Sequence, residues 1–134
     1  MNSKYSIERL DAFQREMKKR SLLSRGDWVI EYDFTQEGAF AEMKKLMGLE
    51  DRPTAILLMN DFSALGVLRA TKESGVRVPD ELSVIGFGDV PFASMTDPSL
   101  TTIHLPFKAM GYRAADMLLK MIQKPRFHLQ YLRR

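Results

Sequence analysis

The chain has 134 residues, enough for one domain with a hydrophobic core, and its 45% hydrophobic and 28% charged content is typical of a globular protein. It contains no cysteine, which excludes disulfides, thiolate metal sites and cysteine nucleophiles and is compatible with a cytoplasmic protein. No apolar run is long enough to cross a membrane, and the first 20 residues lack the apolar segment of a secretion signal. We therefore expect a cytoplasmic protein that does not contact a membrane.

The net charge of +3 is unevenly distributed. Six acidic residues face three basic ones between positions 53 and 98, whereas seven basic residues face one acidic residue from position 99 onwards. A basic tail suggests contact with nucleic acid, but these bases stand among apolar residues at helical or strand spacing and no recognition motif accompanies them. A solvated surface is the simpler interpretation.

The chain opens with a predicted amphipathic helix. Ser6 is a candidate N-cap, and Leu10, Phe13 and Met17 then recur on one helical face. A short strand is predicted over residues 28–32.

The middle of the chain predicts a helix, a strand and a further helix. Thr35 is a candidate N-cap for the second helix, and Gly48 ends it. Residues 54–59 are apolar without alternation, which predicts a central strand buried on both faces of a parallel sheet. Asp61 is a candidate N-cap for a third helix over residues 62–74.

The remaining elements complete an alternating pattern. Residues 83–87 predict another buried strand, 101–105 a short extended segment, 108–122 an amphipathic helix and 127–132 a final strand. Alternating helices and strands are typical of right-handed crossovers. The sequence therefore predicts an α/β fold with three α-β-α layers and a mainly parallel sheet.

Hydrogen-bonding residues follow the predicted strands. Ligands of parallel sheets bind beyond the carboxyl ends of the strands, where Phe34, Asn60 and Asp89 fall. Two polar side chains and one flat ring suit a small ligand such as a sugar or a nucleobase. Each residue also has a structural interpretation: Phe34 as core, Asp61 beside Asn60 as a helix cap, and Asp89 as a turn residue.

The sequence gives little support for an enzyme. A Gly-Phe-Gly run at residues 86–88 follows a strand, but Pro91 stands where a dinucleotide-binding loop needs its third glycine. His104 and His128 lack metal-ligand spacing, and a structural role is the simpler interpretation of His104. We expect no metal, no cofactor and no catalytic residue.

Several motifs in order resemble the LacI/GalR family of bacterial transcriptional repressors over residues 6–122. The motifs that carry this resemblance are Arg52-Pro-Thr-Ala-Ile through Asn60-Asp61, Ala64-Leu65-Gly66, Gly75-Val-Arg-Val-Pro-Asp80, Ser83-Val-Ile-Gly-Phe87, Asp97-Pro-Ser-Leu-Thr-Thr-Ile103 and Met110-Gly111.

The resemblance implies a fold related to periplasmic binding proteins, in which two α/β subdomains close on a small effector. It assigns residues 6–100 to the C-terminal subdomain and residues 101–122 to a strand and helix that cross back to the N-terminal subdomain, with residues 123–134 forming a final strand. The DNA-binding headpiece and the first strand of the C-terminal subdomain would lie outside this chain. Operator DNA would be bound only through that headpiece.

Functional residues also follow from the resemblance. Arg9 corresponds to an arginine that holds effector oxygens, Phe34 to a stacking aromatic residue, Asn60 to a polar residue at the effector's edge, and Phe107 to a further wall residue. The same family forms homodimers, and the resemblance places a dimer surface on the third helix and the loop after the third strand. Its candidate residues are Phe62, Leu65, Leu68, Met95 and Leu100.

One position departs from the family pattern, which usually has an aspartate after Gly-Phe where this chain has Gly88. Either Asp89 substitutes for it, or the effector differs, or binding is weak. Three other functions stay open: a transport-type solute-binding protein, a sugar-processing enzyme using Asp89 or Asp61 as a base, and a dimerising remnant that senses nothing.

Overall fold

The computed structural model describes residues 4–22 and 25–123 and divides into two compact units, Met1–His104 and Leu105–Arg134. The described helices and strands of the first unit are α1 (Lys4–Lys19), α2 (Gln36–Met47), β1 (Ala55–Leu57), α3 (Asp61–Glu73), β2 (Ser83–Gly88) and β3 (Thr101–His104). The second unit contains α4 (Phe107–Gln123). Short 3-10 helices occupy Gly26–Trp28 and Pro91–Met95.

The three strands form a parallel sheet in the order β1-β2-β3. Leu57 pairs with Ile85, and Gly88 pairs with His104, so the carboxyl ends of the strands lie at one edge. Alternating helices and parallel strands confirm the predicted α/β fold class.

The core lies between the sheet and the pair of helices α2 and α3, which pack against each other. The buried apolar residues of this cluster are Ala39, Met43, Leu46, Leu58, Ala64, Val67, Ala70, Leu82 and Val84. Side chains of β2 alternate, so Val84 and Gly86 are buried on the helix side while Ser83 and Ile85 are exposed on the other. The opposite face therefore keeps solvent contact along β2.

Most predicted boundaries are confirmed because local chemistry determines them. The Thr35 hydroxyl accepts a hydrogen bond from the Gly38 amide at 2.9 Å and so caps α2, which ends before Gly48. Gly75 follows α3 with φ +71°, the left-handed conformation that favours glycine after a helix. Strands β2 and β3 and helix α4 differ from the predicted bounds by one residue at most.

Two predicted N-caps are wrong. Helix α1 already includes Lys4 and Tyr5, which places Ser6 inside the helix rather than at its cap. Asn60, not Asp61, caps α3. The backbone of Asn60 is extended, as at an N-cap, and its side chain accepts a hydrogen bond from the Ser63 amide.

Two predictions about strands are also wrong. Residues 28–32 form no strand: Trp28 closes a 3-10 helix, and the residues after it make no ladder with β1, β2 or β3. Residues 54–59 were expected to form a central strand, but β1 lies at an edge of the sheet, and Ala55 and Leu57 are exposed. An apolar run identifies a strand without revealing how many neighbours it has.

The second unit holds a helix with one apolar side, as predicted. Met110 and Met121 of α4 are exposed, and Met117 is half-buried. The boundary between the units falls after His104, because β3 is bonded along β2, whereas the resemblance divides the chain after residue 100. Assignment to subdomains of a longer protein stays a prediction, and the predicted final strand lies outside the described residues.

Candidate functional site

Asn60 and Asp89 follow β1 and β2 at the same edge of the sheet. The Val90 amide donates to Asp61 Oδ2 at 3.0 Å, which ties the segment after β2 to the start of α3. Parallel pairing thus brings these two predicted ligand residues to adjacent positions.

Asn60 combines a structural contact with a remaining polar group. Its Oδ1 accepts from the Ser63 amide at 2.8 Å and from the Ser63 hydroxyl at 2.9 Å. The amide nitrogen of Asn60 cannot accept, and among the described residues its two N–H donors are left for another partner. The cap therefore orients Asn60 without exhausting its hydrogen-bonding capacity.

Phe34 is joined to Asn60 through Tyr32 and Ser63. The Tyr32 hydroxyl donates to Ser63 Oγ at 2.6 Å, and the rings of Tyr32 and Phe34 lie 5.3 Å apart. Burial raises the pKa of the Tyr32 hydroxyl above its ordinary value and keeps it neutral as a donor. The chain of contacts places Phe34 near the start of α3.

The turn that carries Phe34 is fixed by the residues on both sides. Thr35 donates from its hydroxyl at 2.6 Å and its amide at 3.0 Å to Asp33 Oδ1, and these bonds lower the pKa of Asp33. Phe34 itself has φ +63°, an uncommon conformation for a bulky residue. A half-buried ring is thus held in a strained turn.

Arg9 of α1 reaches the ends of both β1 and β2. Its Nη1 donates to the Met59 carbonyl at 2.9 Å, its Nε donates to the Tyr5 carbonyl at 3.3 Å, and its guanidinium lies 4.3 Å from the centre of the Phe87 ring. Among the residues that the structure describes, these bonds use two of the five N–H groups of Arg9 and leave three donors at the guanidinium. The guanidinium of Arg9 therefore lies at the same sheet edge as Asn60 and Asp89.

Asp61 is buried behind this edge of the sheet and does not line the candidate site. It is 1% exposed and accepts from the Thr102 hydroxyl at 2.6 Å and from the Val90 amide. A Cβ at Gly86 would overlap its carboxylate, so glycine is required there. Both carboxylate oxygens of Asp61 therefore have partners within the chain, Val90 and Thr102.

Asp89 is exposed and held at two points by β3. Its Oδ2 lies 2.7 Å from His104 Nδ1, and its amide donates to the Thr102 hydroxyl at 3.3 Å. Asp89 has φ +55°. His104 is therefore an exposed partner of Asp89, and the structural role predicted for it stays a prediction.

The glycine at position 88 suits its backbone. Gly88 has φ +139°, which strains any other residue, and a Cβ there would lie 3.3 Å from Asp61 Oδ2. An aspartate would therefore add both backbone strain and a second carboxylate beside Asp61. Restoring the family's aspartate is not a clean test of the site.

The remaining predicted residues lie elsewhere. Phe107 opens α4 in the second unit, and its place in a pocket stays a prediction. Leu100 packs against the core, and its amide donates to the Ala93 carbonyl at 2.9 Å. Phe62 and Met95 are exposed, whereas Leu65 and Leu68 are half-buried.

Sequence reasoning did not identify the polar support beneath the site. Thr102 lies in the extended segment predicted over residues 101–105, and it contacts both Asp61 and Asp89. The register of β3 against β2 places Thr102 beside Asp61 and Asp89. The spacing of these residues along the chain does not predict these contacts.

Neither a membrane-spanning helix nor a metal-binding cluster is found in the part of the chain that the structure describes. None of its helices is long and apolar enough to span a membrane. Over the same residues, no group of three or more histidine, aspartate, glutamate or cysteine side chains is arranged to hold a metal ion.

Comparison with known proteins gives consistent matches. Residues 1–131 match the model of the periplasmic binding protein-like domain. An HTH-type transcriptional repressor PurR from Aliivibrio salmonicida is 35% identical over 116 residues, which is 87% of this chain. That match covers 35% of the repressor, so the chain spans about a third of its length.

Solved structures of LacI family regulators are also similar to this chain. A regulatory protein of the LacI family from Chloroflexus aggregans is 27% identical, with a TM-score of 0.86 over 91% of this chain and 44% of that one. A LacI family transcriptional regulator from Lactobacillus casei with bound glucose is 31% identical, with a TM-score of 0.84 over 91% of this chain and 46% of that one.

Proposed function

Because the chain belongs to the family of periplasmic-binding-protein-like effector domains of LacI/GalR transcriptional regulators, we propose that it binds a small uncharged polar effector. The proposed effector site is the sheet edge formed by Arg9, Phe34, Asn60 and Asp89. Binding would favour one arrangement of the regulator over another, which requires different affinities for the two arrangements.

The arrangement of Arg9 carries this proposal. Its guanidinium is fixed by the Met59 carbonyl and the Phe87 ring, and its remaining donors are aligned in one plane. A fixed, planar donor group beside an amide and a carboxylate suits a ligand with several oxygen atoms. A structural salt bridge would instead direct those donors at a carboxylate of the protein.

A further observation supports the site. Phe34 and Asp89 are two of three non-glycine residues with positive φ in the described part of the chain, the third being Ser21. Strained residues are concentrated at ligand sites because the surrounding structure must hold them there. Two of the five ligand residues proposed from the sequence therefore share an uncommon backbone conformation.

The nature of the effector follows from the same chemistry. An aromatic ring beside hydrogen-bonding side chains suits a sugar or a nucleobase, and glucose is bound to the Lactobacillus casei regulator. We favour a sugar because donors and acceptors surround the edge of the site, matching hydroxyl groups that do both.

The Arg9→Ala variant tests the site. The wild-type chain is screened by thermal shift and then by calorimetry against glucose, ribose, sucrose, lactose, adenine and guanine. We expect Arg9→Ala to weaken the binding of a positive probe about tenfold to a hundredfold, because a hydrogen bond to a charged group is lost.

Arg69→Ala is the matched control. Arg69 also lies over an aromatic ring, 4.4 Å from the centre of Phe40, and pairs with Glu73 on the surface of α3. We expect this variant to bind like the wild type. Equal loss in both variants, or no binding of any probe, would refute the proposed site.

We also propose that two copies associate through the exposed surface at Phe62 and Met95, as the resemblance implies. Phe62 contacts Phe92 edge-on with ring centres 5.1 Å apart, and Met95 is 80% exposed. Operator DNA would be bound by a headpiece outside this chain, and the regulator would act in the cytoplasm.

A further inference from the structure

We propose that His104 is a positioning residue for the effector: it holds Asp89 so that one carboxylate oxygen accepts a hydrogen bond from an effector hydroxyl. The inference rests on the proposed function and deepens it, because it assigns a role to His104 and a class of ligand group to Asp89. The ligand group must be a donor, since an ionised carboxylate can only accept, and a sugar hydroxyl is such a donor.

Three contacts define the position of Asp89. His104 Nδ1 lies 2.7 Å from Asp89 Oδ2, and the Asp89 amide donates to the Thr102 hydroxyl. The Thr102 hydroxyl in turn donates to the buried Asp61 carboxylate. Asp89 is thus connected through β3 to a fully buried acceptor, although its own side chain is 48% exposed.

The direction of the contact with His104 follows from the chemistry. Because Asp89 Oδ2 can only accept, Nδ1 of His104 must carry the hydrogen. Within the part of the chain that the structure describes, no donor reaches Asp89 Oδ1. One oxygen is therefore anchored, and the other is available to a ligand.

The contact with His104 fixes the side chain of Asp89. Asp89 has φ +55°, a left-handed conformation that aspartate adopts more readily than most residues other than glycine, and the bond to His104 determines where its carboxylate lies. Preorganising an acceptor in this way avoids the cost of ordering it when the ligand binds. Without His104, the carboxylate would be free to rotate into solvent.

The pair of Asp89 and His104 lies next to Gly88, the position at which the family pattern usually has aspartate. Gly88 provides no carboxylate, and its backbone and its distance to Asp61 disfavour one. The Asp89 carboxylate, held by β3, is an acceptor on the next residue at the same sheet edge. The contact belongs to this chain's own residues and requires no assumption about the second unit.

Three variants of His104 and Asp89 test the inference, with the positive probe of the sugar panel as ligand. His104→Ala removes the contact, whereas His104→Asn places an amide N–H at a position similar to Nδ1. We expect His104→Ala to weaken binding about tenfold, His104→Asn to recover most of it, and Asp89→Asn to weaken it by tenfold or more. Asparagine tolerates the left-handed conformation at position 89.

Thr101→Ala is the matched control, because Thr101 is exposed on β3 at the end remote from His104. It should bind the probe like the wild type. A merely structural role of His104 would change the stability of the chain, but rescue of affinity by His104→Asn would not follow from it.

Deoxy analogues of the probe identify the hydroxyl. The analogue that lacks the contacted group should bind wild type weakly and lose little more in Asp89→Asn, since both changes remove the same hydrogen bond. The ¹⁵N spectrum of His104 should show the Nδ1–H tautomer in wild type and a change of tautomer in Asp89→Asn.

The outcomes separate this inference from the proposed function. Undiminished binding by His104→Ala, or additive losses with every deoxy analogue, would overturn the inference and leave the effector site intact. Failure of every probe to bind wild type would overturn both. Loss in His104→Ala without recovery in His104→Asn would also refute the positioning role.

Discussion

The buried carboxylate of Asp61 determines that position 86 is a glycine. A Cβ at this position would overlap Asp61 and lie 2.9 Å from Leu100 Cδ2, so a side chain has no space. We expect Gly86→Ala to lower the free energy of unfolding by about 1–3 kcal/mol, because overpacking forces neighbouring groups to move. Urea denaturation with a constant m-value measures this change.

Gly26→Ala provides the comparison, since a Cβ at Gly26 meets no atom within 4 Å. Its free energy of unfolding should change by less than about 0.5 kcal/mol. Similar losses in the two variants would show that Gly86 is not constrained by Asp61. In the sequence, Gly86 belongs to an incomplete dinucleotide motif, which gives no indication of this packing role.

The start of α3 combines two roles in Asn60, and these can be separated. An aspartate or serine at a cap still accepts from the Ser63 amide, whereas alanine cannot. We expect Asn60→Ala to cost about 1 kcal/mol of stability, and Asn60→Asp and Asn60→Ser much less. All three should weaken effector binding, because each removes the amide donors.

Chemical denaturation and calorimetry on the same three proteins measure the two effects. Unchanged affinity in Asn60→Ser would show that Asn60 is a cap and nothing more. The parallel experiment on α2 is Thr35→Ala, which removes a cap from the Gly38 amide and should lower stability by a similar amount.

Elements set by local chemistry could be predicted, and those set by their neighbours could not. The cap of α2 at Thr35 and the strand β2 follow from nearby residues, and both are confirmed. The edge position of β1 and the absence of a strand at residues 28–32 depend on which strand lies beside them. Which strands lie beside one another is a long-range property that the local pattern of a single segment does not determine.

The site shows the same division. Asn60 and Asp89 could be placed at one edge because parallel strands end together, and the structure brings them there with Arg9. The bond from His104 to Asp89 could not be predicted, because it joins residues 15 positions apart through the register of β3 with β2.

On the scale of the whole molecule, the exposed apolar side chains predict self-association. Phe62 is 58% exposed and Met95 80%, and large rings at the centre of an interface contribute most of its energy. We expect the chain to form dimers and Phe62→Lys to weaken them by about 2 kcal/mol or more, roughly a thirtyfold rise in dissociation constant. Sedimentation equilibrium over a range of concentrations measures this constant.

The choice of surface is tested by a second variant, Ile122→Lys, which places a charge on the exposed side of α4. If Phe62 lies in the interface, Ile122→Lys should leave the dimer unchanged, because a lysine outside an interface is not desolvated. Dissociation by Ile122→Lys alone would assign the interface to α4. A wild-type chain that stays monomeric at all concentrations would refute dimerisation, and effector binding by that monomer would still support the site at the sheet edge.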